Sequence, residues 1–423
     1  MNDLTPAPLS PPILFRGRAF SSPKRFRAGT HRSRAPEETL KVASAYFDAA
    51  GITRLADITG LDRIGIPTVL SIRPNGKTLS VGAGKGISVP AAMASAAMES
   101  IELHQAEYFI LPGIRASWRE AAGKSAIIPA RLLPLSRNSL FSPDWPYHWC
   151  LGWDIAAQRD VATPLHIVNM DKSAANRTEL GAFQVTSNGL ASGNDFLEAL
   201  TAGLLEVIER DAVALTAPPW QQGKAAPPQV RTAGIADPML RDLLDRIAAA
   251  RAEILLFDCR IDTGIPVFVA VLRDLDTPDI GLYRGSGAHL DPAVAASRAI
   301  TEAVQSRAVY IAGSRDDMFK QGHFHLRRTD PLAVTANLRR GAPAIDWPSG
   351  EIEATDSFEG DVGVILRKLE KAGLPSVIVH DLTGPVCPVS VLKIVVPGAE
   401  GVLHSESYAP GPRAKAWMER FGA

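Results

Sequence analysis

Six polar residues recur in this sequence as pairs at one spacing: Glu99 and Glu102, Glu206 and Glu209, Glu302 and Gln305. Residues three apart share one face of a helix. Their neighbours are Ala, Met, Leu, Val and Ile, so the face is one that buries, and a buried carboxylate without a partner is costly. If the three helix ends converge, the five carboxylates of these pairs meet in one place and cannot all ionise without added positive charge. A divalent cation is the economical source. Ligands that are all oxygen favour a hard ion such as Mg²⁺, which binds through a few carboxylates together with substrate phosphates, so the pattern points to a nucleotide.

The flanking residues suit phosphate. Ser95 lies one turn before Glu99, Asn188 sits in the Gly-flanked turn before the second pair, and Arg210 and Arg307 stand beside the second and third. Hydroxyl, amide and guanidinium groups are what phosphate oxygens accept. Each has a plainer reading as well: Ser95 as a packing residue, Asn188 as a turn former with positive φ, Arg210 as the ion-pair partner of Glu206 or Asp211. The "GAGKG" stretch is not a Walker loop, because Gly86 stands where Ser or Thr must follow the lysine. No Gly-x-Gly-x-x-Gly turn precedes a helix. The "HFH" run, His323–His325, lacks nearby acid or thiol ligands and reads as surface, and no Ser/His/Asp assembly can be built from the scattered histidines.

Three similar units must position these residues. Each is a Gly-containing strand end leading into an Ala-rich helix: "GAGKGISVPAAMASAAMESIEL", "SNGLASGNDFLEALTAGLLEVIER" and "GSGAHLDPAVAASRAITEAVQSR". Helices are expected from about Pro90 to Tyr108, from Asn194 to Leu215, and after the Asp291-Pro292 cap. Asn75-Gly76 marks a hairpin between two strands. "WCLGWDI", "PLHIVNM", "EILLFDC", "PVFVAVL", "IGLYRGSG", "PSVIVHDL" and "VSVLKIVVPG" read as strands, and "DVGVILRKLEKAG" as a helix. Residues 110–149 read as an irregular excursion between halves and 322–357 as loop. The expected architecture is an α/β (α+β) fold of two related mixed sheet and helix halves.

With 423 residues the chain is long enough for one large unit or two fused halves. Lys and Arg total 45, as do Asp and Glu, so no global field draws nucleic acid or an anionic membrane. Basic residues gather instead in a 1–34 arm, expected to be a solvated tail unless its end, Arg27–Arg32, folds over phosphates. The domain proper is expected over 35–410, its core motifs over 82–315, and a tail over 411–423. The three cysteines form no metal or disulfide pattern. No apolar run spans a bilayer and no signal peptide is seen, which together suit a cytoplasmic protein.

These motifs resemble those of the YcaO-domain family, and the resemblance runs from about Thr30 to Pro397. The Ser-x3-Glu-x2-Glu-Arg signature is matched by Ser95, Glu99 and Glu102, with Leu103 at the final position. Asn188, Glu198, Glu206, Glu209 and Arg210 match the second signature, and Ala299, Glu302, Gln305 and Arg307 the third. The resemblance implies ATP held between the helices without a Walker loop. Glu99, Glu102, Glu206 and Glu209 would hold Mg²⁺, and Ser95, Asn188, Glu198, Arg210, Glu302, Gln305 and Arg307 would contact or orient the nucleotide. Glu206, Glu209, Arg210 and Arg307 would serve catalysis.

It further implies that ATP activates a peptide backbone amide. A nucleophile adds to the carbonyl, the oxyanion takes the γ-phosphoryl group, and phosphate leaves with the former carbonyl oxygen. Sulfide as nucleophile gives a thioamide; a substrate Cys, Ser or Thr gives an azoline. "GTHR…PEET" and "GITRLADITGLDRIGIPTVLSIRP" resemble the branch that works with a TfuA-like protein and a sulfide donor, and "AKAWMERFGA" is not the proline-rich ending of azoline-forming members. Thioamide formation is therefore expected, with azoline cyclodehydration as the alternative and a non-catalytic nucleotide- or leader-peptide-binding scaffold as the alternative of another class. A homodimer is expected from base rates alone.

Overall fold

The computed structural model describes residues 10–109, 111–171, 173, 181–276, 281–314, 331–348, 352–403, 405 and 407–422. Among these, the strands make a seven-stranded, a five-stranded and a three-stranded sheet, with a small hairpin from Ile13–Phe15 and Arg18–Phe20. Pairing is mostly antiparallel, and the edges of both large sheets add a parallel pair. The α/β architecture of mixed sheets and helices is as expected.

Each of the three motif helices follows a strand of its own sheet. Val89–Tyr108 follows Val81–Lys85 of the three-stranded sheet, Phe196–Gln221 follows Leu190–Gly193 at the edge of the seven-stranded sheet, and Pro292–Ala312 follows Leu282–Ala288 at the edge of the five-stranded sheet. Side chains at the starts fix them: Ser88 accepts from Ala91 N, Asp195 from Leu197 N and Glu198 N, and Asp291 from Ala293 N. The Ala and Gly content has a packing cause. A Cβ on Gly84 would lie 2.2 Å from Ala96 N, and one on Gly285 would lie 2.2 Å from Ala299 O, so strand and helix touch backbone to backbone. The second helix is nearly all core, packed between both large sheets with Leu200, Leu204 and Ile208 among Val269, Leu392 and Ile394.

Several expectations are corrected. The hairpin around Asn75-Gly76 forms, but Ile72 pairs with Val81, so the loop is longer than a tight turn. Its residues are spent elsewhere: Arg73 pairs with buried Glu107 at 2.7 Å and Lys77 with Asp171 at 2.8 Å. Within 110–149, Gly113–Ser117 and Pro146–Asp154 pair as strands of the seven-stranded sheet. "PLHIVNM" is a strand only at its start, since Leu165–Val168 turns into a short helix. In the 322–357 segment Pro331–Arg339 is helical; His323–His325 lie outside the described residues. The 411–423 stretch carries a helix, Pro412–Glu419, tied down by Arg413 to buried Asp211 at 3.0 Å and to Asp262. The second helix runs past its expected end, through Pro218 and Pro219, because Trp220 is anchored by its indole N–H on the Leu338 carbonyl and by Phe257. No described helix is long and apolar enough to cross a membrane.

Candidate functional site

The three residue pairs form a closed ring with one rule of connection. The first member of each pair accepts a backbone N–H from the strand end of its own unit. Glu99 takes Ala83 N at 2.6 Å, Glu206 takes Gly189 N at 3.3 Å and Glu302 takes Ser286 N at 3.4 Å. The second member reaches the strand of the next unit: Glu102 accepts from Ser192 Oγ at 3.0 Å and Glu209 from Ser286 Oγ at 2.6 Å, while Gln305 Nε2 donates to the Ala83 carbonyl at 2.5 Å and closes the circle. Sequence spacing required only a shared helix face. The structure adds that the three faces meet.

Charge is distributed unevenly around this ring. In the third pair Gln305 is neutral and Glu302 is bound by Lys85 at 2.5 Å, so its carboxyl is held below the usual range by Lys85, Arg210 and Arg298 despite burial. Among the described residues, the first two pairs keep four carboxyls with Arg210 and Lys393 as the cations acting on Glu206. Burial, Glu206 and Glu99 push the Glu102 carboxyl well above its ordinary value. Burial and Glu209 raise Glu206 against the pull of Arg210 and Lys393. Arg210 lies among Glu209, Glu206 and Glu302 with its Nε buried and without a hydrogen-bond partner. Glu99, Glu102, Glu206 and Glu209 are thus an all-oxygen donor set, richer in acid than in cation among the described residues, which fits a hard divalent cation. The orphaned Arg210 Nε and the half-buried Ser95 fit the oxygens of an anion beside it. Asn188 Oδ1 is also buried without a partner, and the positive φ of the turn, +75°, is taken by Gly189 rather than by Asn188.

Two residues expected to meet the nucleotide have other partners. Arg307 is two positions beyond Gln305, on the opposite face of the helix; it is buried between Asp62 at 2.8 Å and Asp274 at 2.9 Å, which anchors the third helix to the 59–66 loop. Glu198, 2% exposed, accepts Ser33 N and Ser33 Oγ at 2.9 Å on Oε2 and Asn194 Nδ2 at 3.1 Å on both oxygens, so the arm and the residue before the helix cap engage it.

That corrects the reading of the basic arm as a solvated tail. Ser22, Lys24, His31 and Ser33 are buried. Lys24 Nζ donates to Asp361, to Thr355 O at 2.9 Å and meets His31 Nδ1 at 3.2 Å, so His31, His289 and Asp361, which cluster as metal ligands would, already hold a cation of the chain's own. Arg32 follows, 3.7 Å from Glu198 and within the field of Glu102 and Arg298. The arm's end lies beside the ring.

Lys85, Ser192, Ser286 and Lys393 were not found from sequence, and Arg32 only as the end of an arm that folds inward. Ser286 carried a signal, because "GSG" (285–287) repeats "GAG" (82–84) at the same distance before its acid. Lys393 carried another, as the single charge in an apolar strand. Lys85 belongs to the "GAGKG" stretch and grips a carboxylate, not a phosphate loop.

An α/β protein with an acid-rich site between three helices, suited to a divalent cation and an anion, is the class these features define. A sequence profile described as YcaO cyclodehydratase, ATP- and Mg²⁺-binding, matches residues 83–400. The chain belongs to the YcaO family, and ATP and Mg²⁺ are its cofactors. It is similar, at 34% identity across 90% of its length and 92% of the other's, to a protein of Rhizobium leguminosarum bv. trifolii named for its place in the tfuA 3′ region. In fold it is similar to YcaO from Methanopyrus kandleri, solved with AMPPCP and Mg²⁺, at a TM-score of 0.71 and 23% identity, covering 92% and 98% of the two chains. It is also similar to a heterocyclase solved with substrate and cofactor, at a TM-score of 0.75 and 23% identity over 95% of this chain; the chain spans 57% of that protein.

Proposed function

We propose that this protein activates a peptide backbone amide at the expense of ATP and, with a sulfide donor and a TfuA-like partner, converts it to a thioamide. The observation that carries the activation step is the ring, which gathers the oxygens of Glu99, Glu102, Glu206 and Glu209 in one place, where burial and the neighbouring acids push Glu102 towards its neutral form. These four are the metal ligands. Mg·ATP supplies an electrophilic phosphorus and a leaving group that carries the amide oxygen away. The chain's part is to position and to balance charge, which provides most of the rate in phosphoryl transfer. Arg210, whose buried Nε has no partner, would meet the phosphates, and Ser95 and Asn188 would add polar contacts; Glu302 holds the third strand and helix in register, and Gln305 ties that helix to the first strand. Glu198 acts at one remove by fixing Ser33 and Arg32 over the ring, and Arg307 by anchoring the third helix. Leu103 is buried in the core, so the position departs from the signature without removing a ring contact.

The thioamide outcome is supported by the relative named for the tfuA 3′ region, a 34% identical protein that aligns over nearly its whole length. Azoline formation is the second reading, favoured by the cyclodehydratase description of the family. Mass spectrometry of a reacted peptide separates them, since one gains sulfur for oxygen and the other loses water. Peptide-dependent release of ADP and phosphate should vanish in Glu206→Gln while that variant stays folded; undiminished turnover would refute the assignment.

A further inference from the structure

A cavity of about 380 Å³ opens beside the ring and carries the opposite charge. Its inner end is formed by Thr186, Asn188, Val207 and Lys393. Lys393 is 2% exposed, yet its one hydrogen bond among the described residues goes to the Thr186 carbonyl at 2.6 Å. An ammonium has three donors, and burying it with two unspent is unfavourable unless something else accepts them. Glu206 and Glu102 act on Lys393 through their field without a hydrogen bond. At the outer end Arg131, Arg137 and Lys415 are exposed. Among the described residues the only acid of the lining, Glu400, is already consumed by the Tyr408 hydroxyl at 2.9 Å, Gly411 N at 3.0 Å and Ala414 N at 2.8 Å. Between these ends the wall is apolar, with Leu133 and Val396.

We propose that this cavity receives the peptide to be modified, that an acidic residue of the peptide sits among Arg131, Arg137 and Lys415, and that Lys393 donates to the carbonyl oxygen of the reacting amide. The inference rests on the ATP-dependent activation above and adds the acceptor site to it. The geometry suits that chemistry: a backbone carbonyl offers the acceptor that Lys393 lacks, at the point where cavity and ring adjoin. A buried lysine there faces the oxygen on which negative charge develops when a nucleophile adds. The cationic mouth selects for acidic neighbours, and its exposed charges act mainly on affinity and encounter.

The test uses the full chain with saturating Mg·AMPPCP and a short fluorescein-labelled glutamate-containing peptide beside its glutamine counterpart, read by anisotropy. The acidic peptide should bind about tenfold tighter at low salt, with the margin shrinking as salt rises. Arg131→Glu/Lys415→Glu, both exposed and so neutral for folding, should erase that margin. Lys393→Met should weaken both peptides alike, because it removes a contact to the backbone. Equal affinity of the two peptides, a margin that survives in the charge-reversed variant, or displacement of peptide by Mg·AMPPCP would each overturn the assignment, the last by giving the cavity to the nucleotide. Calorimetry of Mg·AMPPCP alone tests the ATP reading separately: peptide preference without nucleotide binding would sink that reading and not the cavity's selectivity.

Discussion

Ser286→Ala is the sharpest single test of the ring, because Ser286 serves two units at once. Its hydroxyl donates to Glu209 Oε1 at 2.6 Å, and both groups are buried, with Glu209 3% exposed. A hydrogen bond to a charged acceptor is worth about 1.5–3 kcal/mol, and removing the donor leaves a buried carboxylate short of a partner. We expect the variant to lose about 2 kcal/mol of unfolding free energy in urea at neutral pH. Ser192→Ala should cost less, about 1 kcal/mol, since its acceptor Glu102 is pushed towards its neutral form and the bond is longer, 3.0 Å. Because the hydroxyl also orients Glu209, a proposed metal ligand, Mg·AMPPCP affinity by calorimetry should fall roughly 10- to 100-fold in Ser286→Ala. Each tenfold loss removes about 1.4 kcal/mol of ligand-derived stabilisation. The cycle with Glu209→Gln should give a coupling of about 1–2 kcal/mol. A Ser286→Ala protein within about 0.5 kcal/mol of the parent, with unaltered Mg·AMPPCP affinity, would refute the argument.

Three further outcomes follow from buried charge. Arg307→Ala should destabilise by about 3–5 kcal/mol in urea unfolding, as Asp62 loses its guanidinium and Asp274 loses one of its cations; a loss under about 1 kcal/mol would contradict the burial of that pair. Lys24→Met should strand Asp361 and free the arm, so that limited proteolysis cuts within residues 10–34, while Lys24→Met/Asp361→Leu should restore much of the loss. Burial lowers His380 to about 3, and burial with Lys24 lowers His31 to about 4. These histidines stay neutral in the fold while the unfolded chain binds protons below about pH 6.5, so their stability contribution is full above that pH and is lost as pH falls towards 4. The raised Glu102 and Glu206 pull the other way. His380→Gln should therefore reduce the acid-side slope of stability by about 1.4 kcal/mol per pH unit, and an unchanged slope would show that His380 is not buried neutral.

What the sequence disclosed and what it withheld divide by range. Helix starts were legible because their signals are local: Asp291-Pro292 caps its helix from within two residues. The i, i+3 acids on apolar faces were legible too, because only burial explains such neighbours. Their partners were not. Ser192 meets Glu102 only because the edge strand Leu190–Gly193 lies against the first helix, a matter of sheet placement that no window of sequence contains. The arm is the extreme case. Lys24 and Arg27 are held by Asp361 and Asp356, more than 300 positions away, so composition favoured a solvated tail and could not name the partners that fold the arm inward.

The ring also explains why the third unit differs in sequence from the other two. A glutamate at position 305 would face the Ala83 carbonyl, two acceptors at the distance where Gln305 now donates, and would add an acid to a site already short of cation. Glutamine closes the circle with the same reach and no charge. Lys85 then neutralises Glu302, so the negative surplus falls on the first two pairs alone. On the proposed reading, the asymmetry puts the metal at the first two pairs of a pseudo-threefold arrangement, and Lys393, supplied by a neighbouring strand, marks the side from which a carbonyl substrate would meet it.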